Sequence, residues 1–362
     1  MEVYLETQPT PTNQRQDNIT GNYKELEEAL LLVENLCTTE QIQNLLRSRK
    51  DDKNVRVTAE TKEELVNRNL KAAVESKAIE IKNVFDLIRS SEENGNQHIF
   101  YYKPKSRHIA EALTFESIAQ QLWKMNWKET LESFPAIKLK PNNFQYSDFR
   151  LHSKRDKDWI LKIYGHTVIT KFTGKIKEGE NNSFWREYIE EPLRIVLLAR
   201  WNSLGLLEIR VQRNESRKRV DDWHVQVWKM LNPALVRGQF EQLELSKTMA
   251  QLITRQSANE KVYNFRDASV VGLGVRARFE AVLDDGNLFA SIETRDSIQS
   301  YLNAQGECKG LTVTWIKQDN GRPQKDIRTL LAAKEVNEIV VFPHCTSEDM
   351  DYVADRLRQF NK

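Results

Sequence analysis

Cysteine is scarce in this 362-residue chain: Cys37, Cys308 and Cys345 stand far apart, form no CxxC pair and leave at least one thiol over from any disulfide. A disulfide framework is excluded, and a reducing compartment is implied. Glycine (13) and proline (9) are few, which excludes collagen-like, mucin-like and low-complexity classes. Apolar runs are short. Ile195 to Ala199 is bounded by Arg194 and Arg200, and nothing approaches the roughly 18 residues that a membrane span requires. Met1 to Leu5 carries Glu2 and no basic region ahead of an apolar stretch, so a secretory signal is not expected. The expected location is cytoplasmic, or nuclear in a eukaryotic cell. Net charge is small, 54 Lys and Arg against 52 Asp and Glu, so affinity for an anionic polymer must come from local patches.

Catalytic signatures are also missing. There is no GxxxxGK[ST], no GxSxG elbow and no HExxH, and the six histidines (His98, His108, His152, His166, His224, His344) are dispersed. No metal and no cofactor is expected. Gly272-Leu273-Gly274 lacks the third glycine and following helix of a dinucleotide site, and predicts a bulge or close strand packing. His344-Cys345 is best explained as a partly buried turn. The nearest approach to a nuclease motif is Glu208-Ile209-Arg210, with Glu190 and Glu191 ahead of the preceding strand. Carboxylates there could hold Mg²⁺, although Arg210 stands where a lysine is needed.

The apolar pattern divides the chain. Residues 1–22 lack a period and predict a flexible leader. Leu26, Leu30, Val33 and Cys37 then recur at helical spacing. Thr38 or Thr39 can cap a second helix burying Ile42, Leu45 and Leu46, and Thr61 with Glu64 forms a capping-box pattern ahead of Leu65, Leu70 and Val74. A further helix is expected over 77–91. Residues 23–132 are therefore expected to be a helical module containing one short strand, 98–103, and a helix over 115–125, with Pro135 and Pro141 in a linker.

From Phe149 the period changes to two. Trp159 to Tyr164 and Val168 to Phe172 predict a hairpin turned at Gly165-His166, and 193–201 with 206–211 a second strand pair. Helices are expected over 220–231, 240–255, 297–304 and 347–359, and strands over 270–283, 288–293, 311–317 and 338–342. Strands and helices mixed without βαβ alternation predict an α+β fold on a mainly antiparallel sheet: a central domain over 145–260 and a C-terminal region over 261–362 that could be continuous with it.

Three basic groups are candidate sites. Ile42, Leu45 and Leu46, a polar loop, then Thr61-Lys62-Glu63-Glu64-Leu65 resemble the SAP family of helix–loop–helix modules, a resemblance that implies duplex DNA binding over about residues 41–74. Glu60 stands where that family has glycine. Arg47, Arg49, Lys50, Lys53, Arg56, Lys62 and Arg68 could meet phosphates there, with Asp51, Asp52, Glu60, Glu63 and Glu64 offsetting them. The second group is Arg150, Lys154, Arg155, Lys157, Lys162, Lys171, Lys175 and Lys177, interleaved with Trp159, Tyr164 and Phe172. The third is Arg210, Arg213, Arg217, Lys218 and Arg219, ahead of a helix burying Val220, Trp223, Val227 and Leu231, with Asp221 and Asp222 as internal counter-charges. Asp148 to Leu151 and Trp159 to Gly165 resemble the start of the central sheet in the CENP-N family of nucleosome-reading proteins, a likeness of pattern from which no contact residue is carried over. A non-enzymatic DNA-binding protein is the expectation, with a protein-interaction subunit and a metal-dependent nuclease as alternatives.

Overall fold

The computed structural model describes residues 13–53, 55–125, 144–152, 155–178, 183–202, 205–213, 218–256, 261–272, 274–282, 286–319, 322–342 and 345–361. Side chains of 13–24, 155–156 and 218–219 are outside that description. The fold is α+β, and the chain forms two compact units that divide between Glu92 and Glu93.

The first unit is helical. Helix α1 (Asn13–Leu36) begins inside the segment expected to be flexible, because turns propagate outward from the packed Leu26, Leu30 and Val33 at one hydrogen bond per residue. Thr38 caps α2 (Thr39–Arg47), its hydroxyl accepting from the Gln41 N–H while Gln41 accepts from the Thr38 N–H. Helix α3 runs through Lys62–Glu64, a π-wound Leu65–Leu70 and Lys71–Glu75. Lys77 does not start the next helix, as expected from sequence. It terminates α3 at φ 62, its N–H bonding the Val74 carbonyl, and α4 (Ile81–Glu93) follows. Leu26, Leu30, Val33, Ile42, Leu46, Leu65, Leu70, Val84 and Ile88 share one core.

The second unit is built on an eleven-stranded, wholly antiparallel sheet. In chain order its strands are β1 (Gln97–Pro104), β2 (Gln145–His152), β3 (Arg155–Glu178), β4 (Phe184–Asn202), β5 (Leu206–Gln212), β6 (Phe240–Gln242), β7 (Tyr263–Gly272), β8 (Val275–Glu280), β9 (Glu307–Trp315), β10 (Ile327–Ala332) and β11 (Glu338–Val341). They lie in the order β2-β3-β4-β5-β1-β11-β10-β9-β7-β8, with β6 beside β1. The short strand 98–103 thus pairs with β5 and β11 and belongs to the sheet, not to a helical module reaching 132. One continuous sheet likewise joins the central and C-terminal regions.

Helices α5 (Arg107–Ala112), α6 (Phe115–Lys124) and α7 (Lys218–Leu231) bury Leu113, Leu122, Trp223 and Val227 against Phe100, Trp159, Leu161, Leu197 and Ile209. Helices α8 (Leu245–Thr254), α9 (Ile292–Asn303) and α10 (Ser347–Phe360) pack with Ile99, Tyr101, Phe265, Val313, Leu331 and Ile339. Ile99 and Phe100 point to opposite faces, so the two helix groups cover opposite faces of the sheet. Among the described residues no helix is long and apolar enough to cross a membrane.

Several expected elements differ. Residues 240–255 divide into β6 and α8; 288–293 forms a single tight turn and the start of α9, whose cap is the Ser291 hydroxyl accepting from Thr294; and 270–283 divides at Gly274, φ 76, into β7 and β8. Gly272 lies against the backbone of Gly306, the close approach its lack of a Cβ permits. Helix α5 and strand β10 had no counterpart in the sequence pattern, and Pro135 and Pro141 lie outside the described residues.

Gly165-His166 is not a turn. β3 continues through it, and a Cβ at Gly165 would stand 2.2 Å from the Phe144 ring, so the glycine serves packing. Gly165→Ala is expected to cost about 1–3 kcal/mol by overpacking, measured as a shift in the urea midpoint, with Phe144→Ala relieving part of it in the double variant.

Candidate nucleic-acid interface

The basic residues of the central sheet fall into two sets, because only part of β3 and β4 lies within the sheet. β2 ends its pairing at Gln145 opposite Tyr164, and β5 ends at Val211 opposite Leu197. Beyond that level, among the described residues, β3 and β4 pair only with each other, from Gly165–Ile195 to Glu178–Phe184, as a two-stranded arm.

Inside the sheet the charges neutralise one another. Arg210 is buried; its Nε donates to Glu208 Oε2 at 2.9 Å and its Nη1 to the Glu93 carbonyl at 2.7 Å. Lys162 is buried 3.1 Å from Glu93, and Arg150 donates to Glu93 Oε2 at 2.6 Å and to Asp148. Burial alone would raise the Glu93 carboxyl, but Lys162 and Arg150 overcome it and hold it below the usual range. Arg200 donates to Asp351 on α10 at 2.6 Å and stands 3.9 Å from both Asp158 and Glu208. Arg210 and Lys162 are therefore structural and do not face a ligand, contrary to expectation. The carboxylates Asp158 and Glu208 are neutralised by a guanidinium, while Glu190 and Glu191 lie out on the arm, about ten residues of strand from Glu208's partner Arg200, roughly 30 Å at strand rise. The acidic pair considered for Mg²⁺ is not assembled.

On the arm, Lys171 and Lys175 are exposed and sit 3.6 Å from Glu191 and 3.8 Å from Glu187. Exposed pairs of this kind contribute about 0–1 kcal/mol, so both lysines remain open to a competing anion. Lys157 and Lys177 are exposed as well. Trp159 and Tyr164 are buried and cannot stack on bases, and Phe172 points to the face opposite Lys171. Lys154 lies outside the described residues, as do the side chain of Arg155, all of Arg217 and the side chains of Lys218 and Arg219, which open α7. Arg213 is exposed, 5.6 Å over the Phe342 ring, and does not join buried Arg210. Val220, Trp223, Val227 and Leu231 are buried along α7 as the pattern requires.

The first unit places its cations differently. Arg47 ends α2, and Arg49, Lys50, Lys53 and Arg56 follow in the connection to α3; all five are exposed. Arg47 bonds only the neutral Asn44 and Gln43, and among the described residues no carboxylate lies within 4.0 Å of any of the five. Lys62 is half-buried in the first turn of α3. The helix N-terminus beside it is already occupied. Thr61 Oγ1 accepts from the Glu64 N–H, and Glu64 accepts from the Glu60 N–H at 3.2 Å and from Arg68, which together hold its carboxyl below the ordinary value. An external phosphate would have to displace that carboxylate, so the connection 47–56 is the open anion surface and the helix end is not.

All three thiols are buried, which pushes Cys37 up to about 11 and Cys308 and Cys345 up to about 12. Cys345 Sγ bonds the Phe342 carbonyl, and His344 lies outside the described residues.

No protein-family model matches the chain, and no curated protein matches it.

Proposed function

We propose that this chain is a non-enzymatic binding protein that holds nucleic acid, most favourably duplex DNA, by phosphate contacts from Arg47, Arg49, Lys50, Lys53 and Arg56. The observation that carries the reading is the contrast between the two units: cations of the sheet interior are taken up by buried carboxylates, whereas these five are exposed within ten residues that contain only Asp51 and Asp52 as acids. Cations without an internal partner keep their full Coulombic attraction for a phosphate backbone. The lysines of the arm can add to it, since their exposed pairs are weak.

Affinity for a short duplex should fall with salt at about −0.9 in log K against log salt per phosphate contact. The triple change Arg49→Ala, Lys50→Ala, Lys53→Ala is expected to flatten that slope by up to about 2.7 and to leave the urea midpoint in place. No retention on DNA at about 50 mM salt removes the proposal. A protein-interaction role is favoured by a separate observation, the apolar side chains exposed along the arm.

A further inference from the structure

The arm of β3 and β4 carries the largest row of exposed apolar side chains in the second unit. Val168 (45 %), Phe172 (41 %), Ile176 (55 %), Phe184 (64 %) and Tyr188 (52 %) are all open to solvent. Strand alternation and register place them on one face. Phe172 is opposite Tyr188, with ring centroids 5.6 Å apart; Ile176 is opposite Arg186, whose guanidinium lies 5.9 Å from the Phe172 ring; and Glu178 is opposite Phe184. The other face carries Lys171 and Lys175 in cross-strand pairs with Glu191 and Glu187, together with two exposed apolar side chains, Ile189 (43 %) opposite Lys171 and Trp185 (70 %) opposite Lys177.

A two-stranded ribbon is at best marginally stable in water, and a face with five exposed apolar side chains, three of them aromatic, against two on the reverse is half of a sandwich whose other sheet is missing. Its edges are poor places for that sheet to be supplied: Pro192 removes a donor from β4, and lysines line β3. The aromatic face is left as the adhesive surface. Its charges are balanced, Arg186 and Arg194 against Glu178 and Glu190, which favours neither an anionic polymer nor a strongly charged protein. A surface that is apolar at its centre and carries equal numbers of both signs is complementary to itself.

We infer that the aromatic face of the arm is a homodimer interface, packed face to face with the same face of a second copy of this chain. A two-fold axis running along the arm sets β3 of one copy over β4 of the other. Phe172 then covers Tyr188 of the second copy, and Arg186 covers Ile176 and lies beside Glu178 of the second copy, so aromatic burial and opposite charges are satisfied twice by one operation. Sheets packed in this way stand about 10 Å apart with interdigitated side chains, the spacing these rings fill.

Sedimentation velocity on the full chain, over a roughly hundredfold range of concentration, tests this directly. The expected result is a species of twice the 42.4 kDa chain mass that dissociates on dilution. Phe172→Glu with Tyr188→Glu should give the single-chain mass throughout, and Lys171→Glu with Lys175→Glu, on the opposite face, should leave the dimer intact. Should the first variant fail to fold, Arg186→Glu alone is expected to weaken the dimer and Glu178→Arg added to it to restore it. A wild-type chain at single-chain mass throughout overturns the inference, as does a dimer that survives the aromatic changes but not the lysine ones. DNA retention on the same samples is read independently: a monomer that binds DNA defeats only the interface, and a dimer that does not bind DNA defeats only the proposed function.

Discussion

Arg200→Ala is expected to destabilise the second unit by about 3–5 kcal/mol, a large fraction of a typical domain's stability, although Arg200 touches no surface a ligand could reach. Arg200 is 2 % exposed and faces three carboxylates, Asp158, Glu208 and Asp351, the first two buried and the third on α10. Burial by itself would make the guanidinium easier to deprotonate, and Glu208 and Asp351 reverse that, so the charge is held firmly. Removing it leaves the carboxylates facing one another in a low-dielectric layer between the sheet and α10. Arg200→Lys should recover only part of the loss, because a single ammonium cannot reach in three directions as the planar fork does. Urea denaturation monitored by tryptophan fluorescence measures both changes. An Arg200→Ala protein within about 1 kcal/mol of wild type would show that the charged layer does not support the fold.

Acid is expected to have the second large effect, starting well above the carboxylate range. His224 is buried on α7, where its Nε2 accepts from the Trp228 indole N–H at 3.2 Å and lies 2.5 Å from the Tyr102 hydroxyl. Burial, helped by Arg237, pushes its pKa down from 6.5 to about 4. Between those values the unfolded chain binds a proton that the folded chain does not, so stability rises with pH across the window and is lost as pH falls from about 6.5 to 4, on the order of 2–3 kcal/mol. Glu338 acts lower. Burial would raise its carboxyl, but hydrogen bonds from His98 and Lys334 bring it down to about 2, a contribution present above about 4.5 and lost as pH falls toward 2. Urea midpoints should therefore fall steadily from pH 7 to pH 4, and His224→Gln should flatten the upper part of that fall while leaving the lower part. A His224→Gln protein whose pH profile retains the wild-type slope between 6.5 and 4.5 would place the titration elsewhere.

Elements whose determinants lie within a few residues were legible in the sequence. Leu26, Leu30, Val33 and Cys37 mark a helix because every third or fourth side chain meets one core, and Thr38 with Gln41 closes the capping box of the next helix, α2, locally. Trp159, Leu161 and Ile163 alternate because they line one face of a strand. Gly165 misled because a glycine that turns the chain and one that makes room for Phe144 look the same until the distant ring is placed. Residues 288–293 have strand-like composition, yet the Ser291 cap and packing against β7 make them a turn and a helix start.

The candidate site divides along the same line. That Arg47, Arg49, Lys50, Lys53 and Arg56 are crowded together was settled by sequence, since they are neighbours in the chain and need no fold to meet. Whether Lys162, Arg200 and Arg210 face solvent or one another could not be settled there. Alternation fixes the side each takes within its own strand, but only the pairing of β3 with β4 and of β4 with β5 puts the three on a common face, and neither says which face is wet. Asp351, about 150 residues beyond Arg200, and Glu93, about 70 residues before Lys162, come to lie on that face only in the folded second unit, where α10 packs on the sheet, and a charge taken out of water must then be matched by another. Local periodicity thus determined the elements and the alternating sides of each strand, and tertiary packing decided which side became interior, because burial depends on what arrives from elsewhere in the chain.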